Sequence, residues 1–187
     1  MAKIALLFTT GTEECEALIV ADILRRAKED LSIISVSGSK TVTGSHNITV
    51  IADELIEEHN FEEDDVLVIP GGMPGTNNLE ANGYVQAAVD KLNAEGKLIC
   101  AICAAPKIFG HKGLLAGKKA GIYPGMEDEL QGANVSFDEV SVDGNIITSR
   151  GLGTAIPFAL AILEKIEGRQ TAVDMAKKIV FGSVPVA

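Results

Sequence analysis

The chain has 187 residues, 47% apolar and 22% charged, which suits a folded protein with one medium-sized core. A formal net charge of −10 and a pI ≈ 4.7 exclude nucleic acid as an electrostatically driven partner. No stretch approaches the ~20 apolar residues of a membrane span, the amino terminus shows no signal-peptide pattern, and three cysteines suggest no disulfide framework; the expectation is a single domain over 1–187 in the reducing cytoplasm, with no membrane contact.

Along the chain, short apolar runs alternate with helical patterns. A buried strand is predicted over 4–8, a polar turn over 9–13 and a helix over about 14–28. A second strand follows over 31–36, and 42–51, broken at Gly44-Ser45, reads as a hairpin or two edge strands. The run 66–69 is a short buried strand stopped by Pro70-Gly71-Gly72. A helix over 84–94 carries Val85, Ala88, Val89 and Leu92 on one face. Then come a strand over 98–102 and a helix over 104–112. Further strands lie near 118–122 and 145–148, with Val140 in another, and helices near 154–166 and 171–180 close the chain. This alternation predicts an α/β fold, a mostly parallel sheet covered by helices on both faces. Ligands of such sheets bind beyond the carboxyl ends of the strands, so the turns after Phe8, Ile69 and Ile102 are where chemistry is expected.

All three turns carry unusual residues. In Ile102-Cys103-Ala104-Ala105-Pro106 a strand runs into a cysteine and small residues open a helix, as in a nucleophile elbow. The start of a helix favours thiolate over thiol, so Cys103 is the candidate nucleophile. Adjacent glycines in Pro70-Gly71-Gly72 let backbone N–H groups approach a ligand; with the N–H of Ala104 they would form an oxyanion hole. The first turn holds Glu13, Glu14 and Glu16 at a helix start. Two suit the helix dipole, and one can turn inward to exchange a proton with the sulfur; the residues alone leave open which.

The chain resembles the ThiJ/PfpI superfamily, in its DJ-one branch. Four ordered motifs carry the resemblance: Gly11-Thr12-Glu13-Glu14-Cys15-Glu16, Val68-Ile69-Pro70-Gly71-Gly72, Ala101-Ile102-Cys103-Ala104-Ala105-Pro106 and Thr148-Ser149-Arg150-Gly151-Leu152-Gly153-Thr154. The resemblance implies a flavodoxin-like, doubly wound fold and a homodimer. It maps the reactive cysteine to Cys103, its hydrogen-bonding glutamate to Glu16 and the hole to the backbone of Gly71, Gly72 and Ala104. Glyoxalase, deglycase and chaperone activities and oxidation of the cysteine to sulfinate go with this branch. Two departures matter. Protease-like relatives place a His directly after the cysteine, where this chain has Ala104, so a peptidase or amidase is disfavoured. Branch members often carry a pocket His where this chain has Tyr123, a poor base near neutral pH.

Other signals weigh less. Cys100 and Cys103 spell Cys-x-x-Cys, but a strand places them on opposite faces, so no redox pair is expected. Cys15 reads as a surface or interface thiol. The three histidines, His46, His59 and His111, read as surface residues without metal-ligand spacing. His46 is a candidate anion contact because the branch often has an Arg in that hairpin, and Arg150 is another, beside a helix start. Neither metal nor cofactor is expected. The reading is a thiol-dependent protein that converts 2-oxoaldehydes to 2-hydroxy acids, with a small aldehyde or glycated substrate. The rival is a redox sensor or chaperone working through oxidation of Cys103.

Overall fold

A computed structural model describes residues 1–182; positions 183–187 of the expected domain lie outside the described residues. The chain forms β1 (Lys3–Phe8), α1 (Glu14–Arg26), β2 (Asp30–Ser35), β3 (Thr41–Thr43), β4 (Thr49–Ile51), β5 (Glu54–Leu55) and β6 (Val66–Ile69). It continues through α2 (Gly75–Ala81), α3 (Gly83–Ala94), β7 (Leu98–Ile102), α4 (Pro106–His111), β8 (Lys119–Ala120) and β9 (Asn134–Val135). The last elements are β10 (Val140–Asp143), β11 (Ile146–Ser149), α5 (Ala155–Glu167) and α6 (Arg169–Lys178), with short 3-10 turns at Glu127–Glu129 and Leu152–Thr154.

Seven strands form one sheet in the order β10-β11-β7-β6-β1-β2-β5, parallel throughout except for the antiparallel pair β10–β11. The central strands β1, β6 and β7 are apolar on both sides because both faces are covered. Ile4, Leu6, Phe8, Val68, Cys100 and Ile102 pack toward α1, α5 and α6. Ala5, Leu7, Leu67, Ile69, Ile99 and Ala101 pack toward α2, α3 and α4. Alternation along each strand thus assigns every residue to one of two core layers. The chain leaves β1 toward β2 on one side and returns to β6 on the other, so the sheet order reverses between β1 and β6, as in flavodoxin-like folds.

Several elements differ from expectation. α2 is a helix over residues to which the sequence assigns no element; its one buried apolar side chain, Leu79, packs into the core. β5 adds a two-residue edge strand to β2. The run near 118–122 does not join the main sheet: β8 pairs with β9, and the next amide, Gly121, donates to the Thr148 hydroxyl instead. The helix after Cys103 starts at Pro106 rather than Ala104, with proline in the first turn, where its missing N–H costs nothing. The 42–51 segment is a hairpin, β3–β4, as one of its two readings expects, and it lies outside the main sheet.

Phe158 is fully buried on α5 in the layer between the sheet and α1. Phe158→Ala is expected to lower the unfolding free energy by about 3–5 kcal/mol. Exposed Val173→Ala on α6 should stay within about 0.5 kcal/mol of the parent. Urea denaturation of the two variants beside the parent checks both.

Candidate active site

The carboxyl ends of β1, β6, β7 and β11 point to one edge of the sheet, and the segments leaving them meet around Cys103. Cys103 has φ +63°, the left-handed region that a cysteine adopts only when its surroundings hold it there. Two backbone hydrogen bonds do so. Its N–H donates to the Ser149 carbonyl at 3.1 Å, and its own carbonyl accepts from the Tyr123 N–H at 2.8 Å. The positive φ also breaks the strand alternation. Cys103 should share a layer with Ile99 and Ala101, yet it packs against the layer that holds Cys100. The opposite-face expectation for the two cysteines is therefore wrong, because the strand geometry ends one residue too early. All three cysteines are free thiols.

Glu16 enters from the first turn of α1, which Glu13 caps by accepting from the Glu16 N–H at 2.7 Å. The Glu16 side chain is 1% exposed and accepts the Gly71 N–H at 2.9 Å. It also faces the Cys103 thiol and the Leu152 N–H. Gly71 leaves the necessary space: a Cβ there would lie 2.5 Å from the Cys103 Cβ and 2.8 Å from Glu16 Oε2. The N–H groups of Gly72 and Ala104 are directed at the Cys103 sulfur. Of the three amides read as a hole, two serve the sulfur and the third, on Gly71, holds the carboxylate. The Leu152 N–H was missed by sequence reading. Its signal was the Thr148–Thr154 motif, where the Thr154 hydroxyl accepts the N–H groups of Arg150 and Gly151 and so folds the turn that aims Leu152.

The two groups share one environment and pull against each other. Burial pushes the Glu16 carboxyl up to about 7, opposed by hydrogen bonds from Cys103, Gly71 and Leu152. Burial, and then the Glu16 charge, push the Cys103 thiol up to about 12, while the Gly72 and Ala104 amides pull it down. The helix start was expected to lower the thiol. With α4 only six residues long and starting at Pro106, its effect is outweighed by the burial of the thiol and then by the Glu16 charge. The pair therefore carries one negative charge readily and two only at high pH. In the one-charge state the lower value of Glu16 puts the charge on the carboxylate and the proton on the sulfur; passing that proton to Glu16 creates a thiolate that the carboxyl and two amides hold.

Glu14, two residues away and fully buried, goes the other way. Burial raises it, but N–H donors, including those of His46 at 2.8 Å and Ile48 at 3.1 Å, keep it below the usual carboxylate range. It pins the β3–β4 hairpin beside the site. His46 lies 3.3 Å from Glu14 and 3.7 Å from Glu13, so its surroundings are negative and suit no anion. Arg150 reaches away, donating to the Phe137 carbonyl at 3.2 Å and lying over that ring. Tyr123 touches the site through its backbone, and its half-exposed ring lies beside Gly151. Cys15 lies in a groove with Leu18, Ile19, Ile23, Ile156 and Ile179. The other histidines are not free surface residues: His59 is held between Glu54 and Asp64, and His111 between Glu80 and Glu129. No helix among the described residues is long and apolar enough to cross a membrane.

Residues 2–165 match the family described as DJ-1/PfpI. The chain is 36% identical to protein dj-1beta of Drosophila melanogaster over 180 residues, covering 95% of this chain and 96% of that one. It is 33% identical to a deglycase of Pyrococcus horikoshii over 147 residues, 77% of this chain and 88% of that one. Against DJ-1 homolog B of Arabidopsis thaliana it is 35% identical over 98% of its own length but spans only 42% of that protein. Oxidized DJ-1 of Toxoplasma gondii superposes with a TM-score of 0.94 at 34% identity, covering 97% of this chain and 100% of that one. A match of that extent, with relatives this similar from end to end, places the chain in the DJ-1/PfpI family.

Proposed function

We propose that this protein converts reactive 2-oxoaldehydes to 2-hydroxy acids through Cys103, without glutathione, metal or cofactor. The observation that carries the reading is the buried Glu16 carboxyl against the Cys103 thiol, with the Gly72 and Ala104 amides on the same sulfur. The Pyrococcus horikoshii relative named a deglycase supports an enzymatic role of this kind. The Cys103 thiolate adds to the aldehyde carbon, and the proton held by Glu16 goes to the resulting alkoxide to give a hemithioacetal. Glu16, now ionised, removes the hydrogen on that carbon, and the electron pair moves onto the neighbouring carbonyl oxygen to form an enediolate. Glu16 returns its proton to the neighbouring carbon while the proton of the first hydroxyl passes to the neighbouring oxygen, which leaves a thioester of the 2-hydroxy acid. Water then splits the thioester, releasing the acid and restoring the thiol. A group tuned near neutrality suits both halves of this shuttle. The three free cysteines support a reducing, cytosolic setting.

Oxidation is a second reading with its own observation. Two amides aimed at a partly exposed sulfur would also hold a sulfinate, and the similar Toxoplasma gondii structure is of an oxidized protein. A homodimer belongs to the same proposal. The apolar groove of Leu18, Ile19, Ile23, Ile156 and Ile179 is the face a second copy would cover.

Lactate formation from methylglyoxal is expected for the parent and absent for Cys103→Ala, and Glu16→Gln should be slower by about 10²–10⁴. Unchanged lactate formation by Cys103→Ala would falsify the reading, and selective sulfinate at Cys103 under mild peroxide with no turnover would favour the sensor. The pH profile gives a separate check. The active pair has already lost one proton, so kcat/KM should rise as pH passes through about 7, where the Glu16–Cys103 pair loses its first proton, and that limb should vanish in Glu16→Gln. Sedimentation should show a dimer for the parent at micromolar concentration and a monomer for Ile19→Glu; a monomeric parent contradicts the dimer.

A further inference from the structure

His111 ends α4, the helix that follows Cys103. Its Nδ1 lies 2.6 Å from Glu80 Oε1 on α2, and its Nε2 lies 2.6 Å from Glu129 Oε2 in the Glu127–Glu129 turn. A neutral imidazole has one N–H and one lone pair, so it can donate to only one of two carboxylates and must turn its lone pair on the other. Hydrogen bonds to both require the imidazolium. The joint is closely fitted: a Cβ on Gly110 would lie 2.1 Å from the Glu129 carbonyl oxygen. The three joined segments each lead back to the site. α2 follows Gly71 and Gly72, α4 follows Cys103, and the Glu127–Glu129 turn follows Tyr123. A run of hydrogen bonds connects the last of these to the cysteine. The Tyr123 N–H donates to the Cys103 carbonyl at 2.8 Å, the Met126 N–H to the Tyr123 carbonyl at 3.1 Å, and the Glu129 N–H to the Met126 carbonyl at 3.0 Å.

We propose that His111 is a positioning residue whose imidazolium clamps α2 and the Glu127–Glu129 turn to α4, and that losing its proton releases the segment from Tyr123 to Leu130. The charged groups facing the ring are Glu80 and Glu129, with Lys107 of α4 acting through Glu80. Lys107 Nζ sits 3.0 Å from Glu80 Oε2 and 2.7 Å from Asn77 Oδ1, so Glu80 keeps a cation when His111 becomes neutral. Glu129 has no second cation within ion-pairing distance among the described residues, so the joint opens on its side. Burial opposes the imidazolium, but the hydrogen bonds to Glu129 and Glu80 outweigh it and hold His111 above its ordinary value. A raised value in the folded protein gives the sign: the clamp is complete below the ordinary histidine pKa of about 6.5 and is lost as pH rises through the raised one. The device does not depend on which chemistry Cys103 performs.

The test pairs a proton NMR titration of the His111 ring with amide hydrogen exchange, corrected for its intrinsic pH dependence, from about pH 6 to about pH 9. His111 should titrate above its ordinary value, and protection of the Met126 and Glu129 amides should fall across that transition. Glu129→Gln should lower the His111 midpoint and flatten the fall; each unit of midpoint lost corresponds to about tenfold in protection. His111→Arg, which keeps the charge, should preserve protection at the alkaline end, whereas His111→Gln should lose it throughout. Protection that does not change with pH in the parent, or that falls equally in Glu129→Gln, overturns the proposal.

Discussion

A carboxyl group 1% exposed lies against a thiol, and burial disfavours a charge on either. One negative charge can be accommodated, because the Gly71 and Leu152 amides meet the carboxylate and the Gly72 and Ala104 amides meet the sulfur. Among the described residues no cation lies beside the pair to balance a second charge. The site is therefore a one-charge device in which the position of a single proton decides whether the thiolate exists. Its backbone hydrogen-bond donors come from the turns after β6, β7 and β11, and its carboxyl from the helix after β1, so three strand ends and one helix meet at that pair.

Close approach is the second condition. Gly71 is nearly in contact with the Cys103 Cβ, and any side chain there would separate the sulfur from Glu16. The left-handed backbone at Cys103 lifts the thiol out of the strand alternation and into the layer where α1 presents Glu16. A non-glycine residue in that region costs of order 1–3 kcal/mol, which the surrounding hydrogen bonds to Ser149 and Tyr123 must offset. Strain and function coincide here: the conformation that is unfavourable for the backbone is the one that exposes the sulfur to the amides.

The acidic balance of the chain acts on its histidines. Each of the three sits within ion-pairing distance of two carboxylates. The carboxylates beside His59 and His111 favour the charged imidazole and so make each a local countercharge. His59 pins the segment after β5, His46 joins the hairpin to the start of α1, and His111 joins the loops around the cysteine. Fully buried Glu14 is held mainly from the backbone: N–H donors, with the His46 ring beside them, keep it below the usual carboxylate range.

The sequence determined the layered α/β architecture, because buried strands covered on both faces must be apolar runs, and helices between them must be amphipathic. Cys103, Gly71 and Gly72 were legible for the same kind of reason, since each follows an apolar run at a strand end. α2 was hidden because its single anchor, Leu79, sits among Gly and Asn residues that locally favour turns. Only the tertiary structure decided which of three clustered carboxylates turns inward, and which way each titrates. Glu14 and Glu16 have the same side chain, two positions apart on one helix. Donors from the hairpin, more than thirty residues away, keep one charged, while burial beside a thiol brought in by β7 lifts the other toward neutrality. A pKa is set by what surrounds a group in space, and those surroundings are assembled only when distant strand ends meet.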